Sequence, residues 1–141
     1  MKKYYIAYGS NLNSGHMENL CPSAKFLGKV ILNNFSLSFE GEKDRCYLNI
    51  RKVKDKNIEV GVFELNDKDI FKLDEYEDYP FLYKKEDIEI ELNSKKIKAF
   101  YYYMDCGYSP CKPNKEYVEM CLKGYQDCSI KKEQLREILY K

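Results

Sequence analysis

Two stretches carry residue types suited to chemistry: Tyr8-Gly9-Ser10-Asn11-Leu12 near the start, and Leu73-Asp74-Glu75-Tyr76-Glu77 far downstream. The apolar run Tyr4–Tyr8 reads as a strand, and Gly-Ser-Asn stops it with residues suited to unusual backbone angles. Such a turn points consecutive N–H groups into one small space, where they can hold a carboxylate or an oxyanion. In the second stretch Glu77 follows Ile70 and Leu73 at helical spacing, which places it on the core-facing stripe. Asp74 lies beside that stripe. Desolvation and the negative end of the helix would both raise the Glu77 pKa toward that of a general base useful near neutrality. The pattern alone also allows the helix to stop before Glu77, leaving a solvated carboxylate at a turn. Acidic residues are common enough at helix ends to favour that reading slightly.

Other candidates are weaker. His16 is the single histidine, so a Ser-His-Asp or Cys-His arrangement would have to use it. There is no Gly-x-Ser-x-Gly elbow, which leaves Ser10 a turn residue, and no P-loop or dinucleotide fingerprint accompanies Gly9. Tyr117 heads a helical face continuing through Cys121, Gly124, Tyr125 and Cys128. That face reads as core, with Gly124 permitting close approach and the first hydroxyl able to reach a pocket. The six cysteines are expected as free thiols in a reducing cytosol, with no Cys-x-x-Cys hook for zinc.

The elements that must position these residues follow from periodicity. A short helix is expected over Ser14–Leu20, then strands over Lys25–Leu32, Phe35–Glu40, Cys46–Lys52 and Glu59–Leu65, with turns at Asn33-Asn34 and Lys56-Asn57. Asn66 caps a helix from Asp67 to about Tyr76, broken by Tyr79-Pro80. Strands Glu86–Leu92 and Lys96–Met104, a loop over Asp105–Pro113, and helices over Asn114–Asp127 and Lys131–Tyr140 complete the chain. This is an α+β pattern: a twisted mixed sheet, closing toward a small barrel, with flanking helices.

Bulk properties agree with one domain over residues 1–141. With Lys+Arg 24 against Asp+Glu 23, the formal charge is +1, so no global field draws in nucleic acid or an anionic membrane. Met1-Lys2-Lys3 leads into an apolar run far shorter than a membrane span and without a signal-peptide core, so a cytoplasmic location is expected. The chain has 14 tyrosines and no tryptophan; sheet and core packing account for most, with some available to line a pocket.

The Tyr8–Leu12 turn followed by the Leu73–Glu77 helix end resembles the gamma-glutamyl cyclotransferase superfamily, and more narrowly its small bacterial AIG2-like branch. The resemblance extends through Cys21-Pro22-Ser23-Ala24, Gly61–Leu65, Tyr79-Pro80-x-x-Tyr83, Tyr102-Tyr103-Met104 and Pro113-x-x-x-Tyr117 with Gly124. It implies a compact, strongly twisted mixed β-barrel with helices packed around it. It also implies that Tyr8, Gly9, Ser10, Asn11 and Leu12 form the pocket floor and hold a glutamyl group. Glu77 would be the acid/base, with Tyr83 and Tyr117 beside the site. Many relatives carry glycine directly after the catalytic glutamate, where this chain has Asp78, a like charge expected to raise the Glu77 pKa further or to alter substrate choice. The segment Asp44–Lys52 lacks the small residues some relatives carry there, so that pocket wall is expected to differ.

The implied reaction cyclises a gamma-glutamyl amine or amino acid to 5-oxoproline and releases the free amine, with no cofactor or metal. The implied partner is that small molecule alone, and the protein would be a monomer or homodimer. The competing classes are a non-catalytic small-molecule binding protein and a partner-binding domain on the same fold.

Overall fold

The computed structural model describes residues 2–42 and 44–139. Strand β1 (Lys3–Ala7) is the expected apolar opening and runs into a one-turn 3-10 helix, Ser10–Leu12. Helix α1 (Ser14–Leu20) follows, capped by Asn13, whose side chain accepts the His16 N–H at 3.0 Å.

The next four expected strands are two. β2 (Lys25–Glu42) and β3 (Arg45–Leu65) make one long antiparallel hairpin. The Asn33-Asn34 and Lys56-Asn57 pairs, read as turns, mark a bulge instead: Asn33 pairs with Asn57, but Phe35 already pairs with Lys52. Asn34 (φ 67°) and Asp55 (φ 66°) take left-handed angles there, and the Asp55 N–H donates to the Asn34 side chain at 3.0 Å. Asn and Asp suit left-handed backbone in a bulge as well as in a turn, so composition could not separate the two.

Helix α2 (Asp67–Tyr76) is set by a capping box in which Asn66 accepts the Asp69 N–H at 2.8 Å. β4 (Lys84–Leu92) and β5 (Lys95–Tyr103) form a hairpin through Asn93-Ser94, both at positive φ as a two-residue hairpin turn demands. Within the expected loop, Ser109–Pro110 (β6) pairs with Glu40 and Gly41 of β2. Helices α3 (Lys115–Asp127) and α4 (Glu133–Leu139) close the fold. Tyr140, the expected end of the last helix, lies outside the described residues.

The sheet order is β4-β5-β1-β3-β2-β6, with β1 parallel to β5 and the other pairs antiparallel. It curls into a half-barrel around the core, consistent with the α+β expectation.

Helix α3 lies directly on the 3-10 turn. A Cβ on Gly124 would stand 2.5 Å from Asn13 N and 2.7 Å from Leu12 C, and one on Gly61 would stand 2.5 Å from Leu12 Cδ2. Leu12 is fully buried between them.

The thiol expectation is corrected at one pair: Cys46 and Cys111 form a disulfide. Pairing of β6 beside the β2–β3 tip brings together cysteines 65 positions apart, a juxtaposition that local spacing does not reveal. Cys21, Cys121 and Cys128 are free and buried, and Cys106 is free and exposed.

Gly124→Ala is expected to lose about 1–3 kcal/mol, the range for overpacking a tight contact, and Leu12→Ala about 2–5 kcal/mol from the cavity it leaves. Urea unfolding with each midpoint compared with the parent checks both.

Candidate active site

A cavity of about 160 Å³ opens where the 3-10 turn, the end of α2, the start of β3, the end of β5 and the start of α3 converge. The turn supplies one wall. Leu12 N–H closes back on Gly9 O at 3.0 Å, and Asn13 N–H on Ser10 O at 3.0 Å. Among the described residues, no protein acceptor is bonded to the N–H groups of Gly9, Ser10 or Asn11. Gly9 has no room for a side chain without crowding, since a Cβ would lie 3.3 Å from Leu48 Cδ1 and 3.4 Å from Tyr117 Oη.

Glu77 faces this wall. Helix α2 stops at Tyr76, as the blander sequence reading allowed, but Glu77 is the helix C-cap and not a solvated turn residue. Its N–H still bonds Leu73 O at 2.9 Å, which keeps its side chain on the inward stripe. Asp78 then takes a left-handed angle (φ 54°), with its N–H on Glu75 O and the Tyr79 N–H on Asp74 O. This is a Schellman motif at the position that glycine best suits.

The residue is half-buried and lines the cavity. Asn11 Nδ2 donates to Glu77 Oε1 at 2.9 Å. Burial pushes the carboxyl up to about 7, and the Asn11 bond offsets part of that rise.

Asp78 contributes nothing to the rise, against expectation. Arg45 Nη1 holds its carboxylate at 2.8 Å, which neutralises the charge beside Glu77. Asp74 is likewise engaged, accepting from the Tyr102 hydroxyl at 2.6 Å and pairing with Lys85 at 2.8 Å.

Tyr83 and Tyr117 frame the far wall by gripping the backbone of one residue, Leu48, on either side. The Tyr83 hydroxyl donates to Leu48 O at 2.7 Å, and the Leu48 N–H donates to Tyr117 Oη at 3.0 Å. The Tyr8 hydroxyl is spent on Tyr102 O at 2.8 Å. Burial holds the Tyr5, Tyr8, Tyr83 and Tyr117 hydroxyls well above the usual phenol range, so they stay protonated.

Tyr8, Gly9, Ser10, Asn11, Glu77, Tyr83 and Tyr117 thus line one cavity. Leu12 does not: its side chain points into the core, where it anchors the turn. Residue-by-residue reading missed Tyr5, Arg45, Tyr47, Tyr76 and Tyr102 in the lining. The available signal was composition, since with Tyr8, Tyr83 and Tyr117 the four tyrosines in that set make seven of the chain's 14. His16 serves no nucleophile; its Nε2 sits 3.0 Å from Asn11 Oδ1. Among the described residues, no group of three or more His, Cys, Asp or Glu is placed to hold a metal, and no helix is long and apolar enough to cross a membrane.

The fold is that of the gamma-glutamyl cyclotransferases. A solved structure of a gamma-glutamyl cyclotransferase superposes with a TM-score of 0.86 at 22% identity, covering 98% of this chain and 86% of that one. An uncharacterized protein from Homo sapiens gives 0.84 at 22% identity over 97% of this chain and 86% of its own. An AIG2-like protein from Mus musculus gives 0.60 at 20% identity over 83% and 82%. At these identities the likeness is one of fold. No curated protein matches the chain at the level of sequence. The chain belongs to the family described as gamma-glutamyl cyclotransferase, AIG2-like, whose pattern matches residues 5–121. Membership indicates an activity of the gamma-glutamyl cyclotransferase type.

A carboxyl with a raised folded pKa favours the folded state most when protonated. Its stabilising contribution is full below the unfolded value near 4.5 and is lost as pH rises through about 7. Glu77→Gln is therefore expected to unfold at higher urea than the parent at pH 8, by about 1–3 kcal/mol, and to show little difference at pH 4. Parallel urea titrations at the two pH values check the sign.

Proposed function

We propose that the protein cyclises a gamma-glutamyl amine or gamma-glutamyl amino acid to 5-oxoproline, releasing the free amine, with Glu77 as general acid/base. The observation that carries this reading is a carboxyl, pushed up to about 7 by burial, lining the same small cavity as the Gly9–Asn11 turn, whose N–H groups have no bonded protein acceptor among the described residues.

A gamma-glutamyl group already contains its nucleophile, an α-amine able to close a five-membered ring on the side-chain carbonyl. At neutral pH that amine is mostly protonated, and attack creates an oxyanion. Glu77, near half-ionised there, takes the ammonium proton. The freed nitrogen forms its bond to the carbonyl carbon, and the carbonyl electrons move onto oxygen. The N–H groups of Gly9, Ser10 and Asn11 suit the substrate's carboxylate or this developing charge. Collapse breaks the bond to the leaving nitrogen as Glu77 returns the proton to it. The ring nitrogen then gives up its second proton through Glu77 to the departing amine, leaving 5-oxoproline, the amine as its ammonium ion, and Glu77 ionised again. The enclosing tyrosines hold the glutamyl chain in the folded shape that ring closure needs, which supplies much of the rate.

Glu77→Gln is expected to stay folded and lose about 10²–10⁴-fold in turnover. Asp74→Asn and Asp78→Asn, whose carboxylates are held by Tyr102, Lys85 and Arg45, should lose much less. A panel of gamma-glutamyl amines and amino acids assayed for 5-oxoproline tests the set. Near-normal release by folded Glu77→Gln sinks the assignment, and an equal loss at Asp74 or Asp78 moves it to that carboxylate.

A further inference from the structure

Asn11 is almost fully buried, and its amide is used completely. Nδ2 donates both its protons, one to Tyr5 Oη at 2.7 Å and one to Glu77 Oε1 at 2.9 Å. Oδ1 lies 3.0 Å from His16 Nε2. A carbonyl oxygen only accepts, so the ring nitrogen facing it carries the proton. The ring itself is well held: Asn13 caps its backbone at 3.0 Å, and its face lies against Tyr76 with centroids 4.7 Å apart.

The two ends of an asparagine amide have nearly the same shape, so hydrogen bonds decide which way it points. While Glu77 is ionised, its carboxylate requires the NH2 end. Once Glu77 has taken a proton, that requirement lapses. A reversed amide would then accept the carboxyl proton on Oδ1 and hold it away from the leaving nitrogen. A donor at Oδ1 prevents the reversal in both charge states of Glu77. His16 is such a donor as a cation and, when neutral, in its Nε2–H tautomer.

We propose that His16 is a positioning residue that acts through Asn11: it fixes the amide with its NH2 toward Glu77 and thereby sets the proton affinity of that carboxyl. The role in turnover rests on the reading of Glu77 as the proton carrier; the coupling itself does not. Of the titratable groups around the pair, His16 itself is pushed below the usual imidazole range by burial, and Tyr76 against it is pushed above the usual phenol range. Tyr5, Tyr8, Tyr83 and Tyr117 stay protonated by burial, and Asp78 is held by Arg45.

The test is a carbon-13 NMR titration of the Glu77 carboxyl in the substrate-free protein, assigned by its loss in Glu77→Gln. His16→Phe keeps an aromatic ring against Tyr76 but removes the donor. Its Glu77 midpoint should rise by about half a pH unit or more as donation from Asn11 loosens. His16→Gln restores an N–H at similar reach and should return the midpoint toward the parent. In an Asn11→Ala background His16→Phe should add nothing. Turnover of His16→Phe should fall about 10-fold in kcat with KM little changed, and His16→Gln should recover it. If His16→Phe fails to fold, His16→Ala reads the same titration from a half-buried surface position. An unmoved midpoint, equal damage in His16→Gln, or full additivity with Asn11→Ala overturns the coupling. Shifts as expected in a protein that releases no 5-oxoproline uphold the coupling and defeat the reaction assignment instead.

Discussion

The seating of the 3-10 turn between two glycines is the contact on which the rest depends. Gly61 on β3 and Gly124 on α3 leave just enough space for Leu12 and the peptide after it. With the turn wedged there, α3 adds polar anchors around it. Asn13 Nδ2 donates to Met120 O at 3.3 Å, Cys128 Sγ approaches Leu12 O at 3.4 Å, and Asp127 accepts from Ser14 N and Oγ at 2.9 Å. The apolar residue of the motif thus does the holding, which leaves the backbone of its first residues facing the cavity. Helix and sheet do not merely surround the site; they fix the position of the turn that forms one of its walls.

Glu77 is poised by the same economy of space. It lines the cavity because it sits at a helix end turned inward, and the Schellman turn after it carries the chain away. Asp78 takes an angle that is unfavourable for a side chain, and its charge is absorbed by Arg45. The carboxylate next to Glu77 thereby ties the helix end to the start of β3. The pocket wall and the acid are joined by that ion pair, and the disulfide from Cys46 joins the same stretch of β3 to the loop before α3.

Much of this was legible in the sequence, for reasons that differ by element. The Asn66 cap and Asp69 encode α2 locally, and the alternation through Ile88 and Ile90 encodes β4 by burial on one face. The turn and Glu77 were readable as candidates because both lie at the ends of strongly patterned elements. The long hairpin was not, because Asn34 and Asp55 suit a bulge as well as they suit a turn. Nor were Arg45 and Tyr47, since each enters the cavity only through the register of a strand whose continuity was hidden. The ion pair of Arg45 with Asp78 and the bridge of Cys46 with Cys111 share that origin: their partners meet through topology, which leaves no trace in local spacing.

The concentration of tyrosine has an optical consequence. Several phenols act as struts of fixed length, reaching the carbonyls of Tyr102, Leu48 and Tyr8 from Tyr8, Tyr83 and Tyr125. With no tryptophan in the chain, its near-ultraviolet absorption and emission come mainly from tyrosines, and half of these line a single cavity. A molecule entering that space changes the surroundings of seven chromophores at once. The protein is in this sense its own indicator: occupancy of the pocket is written into its intrinsic spectrum, with no label attached.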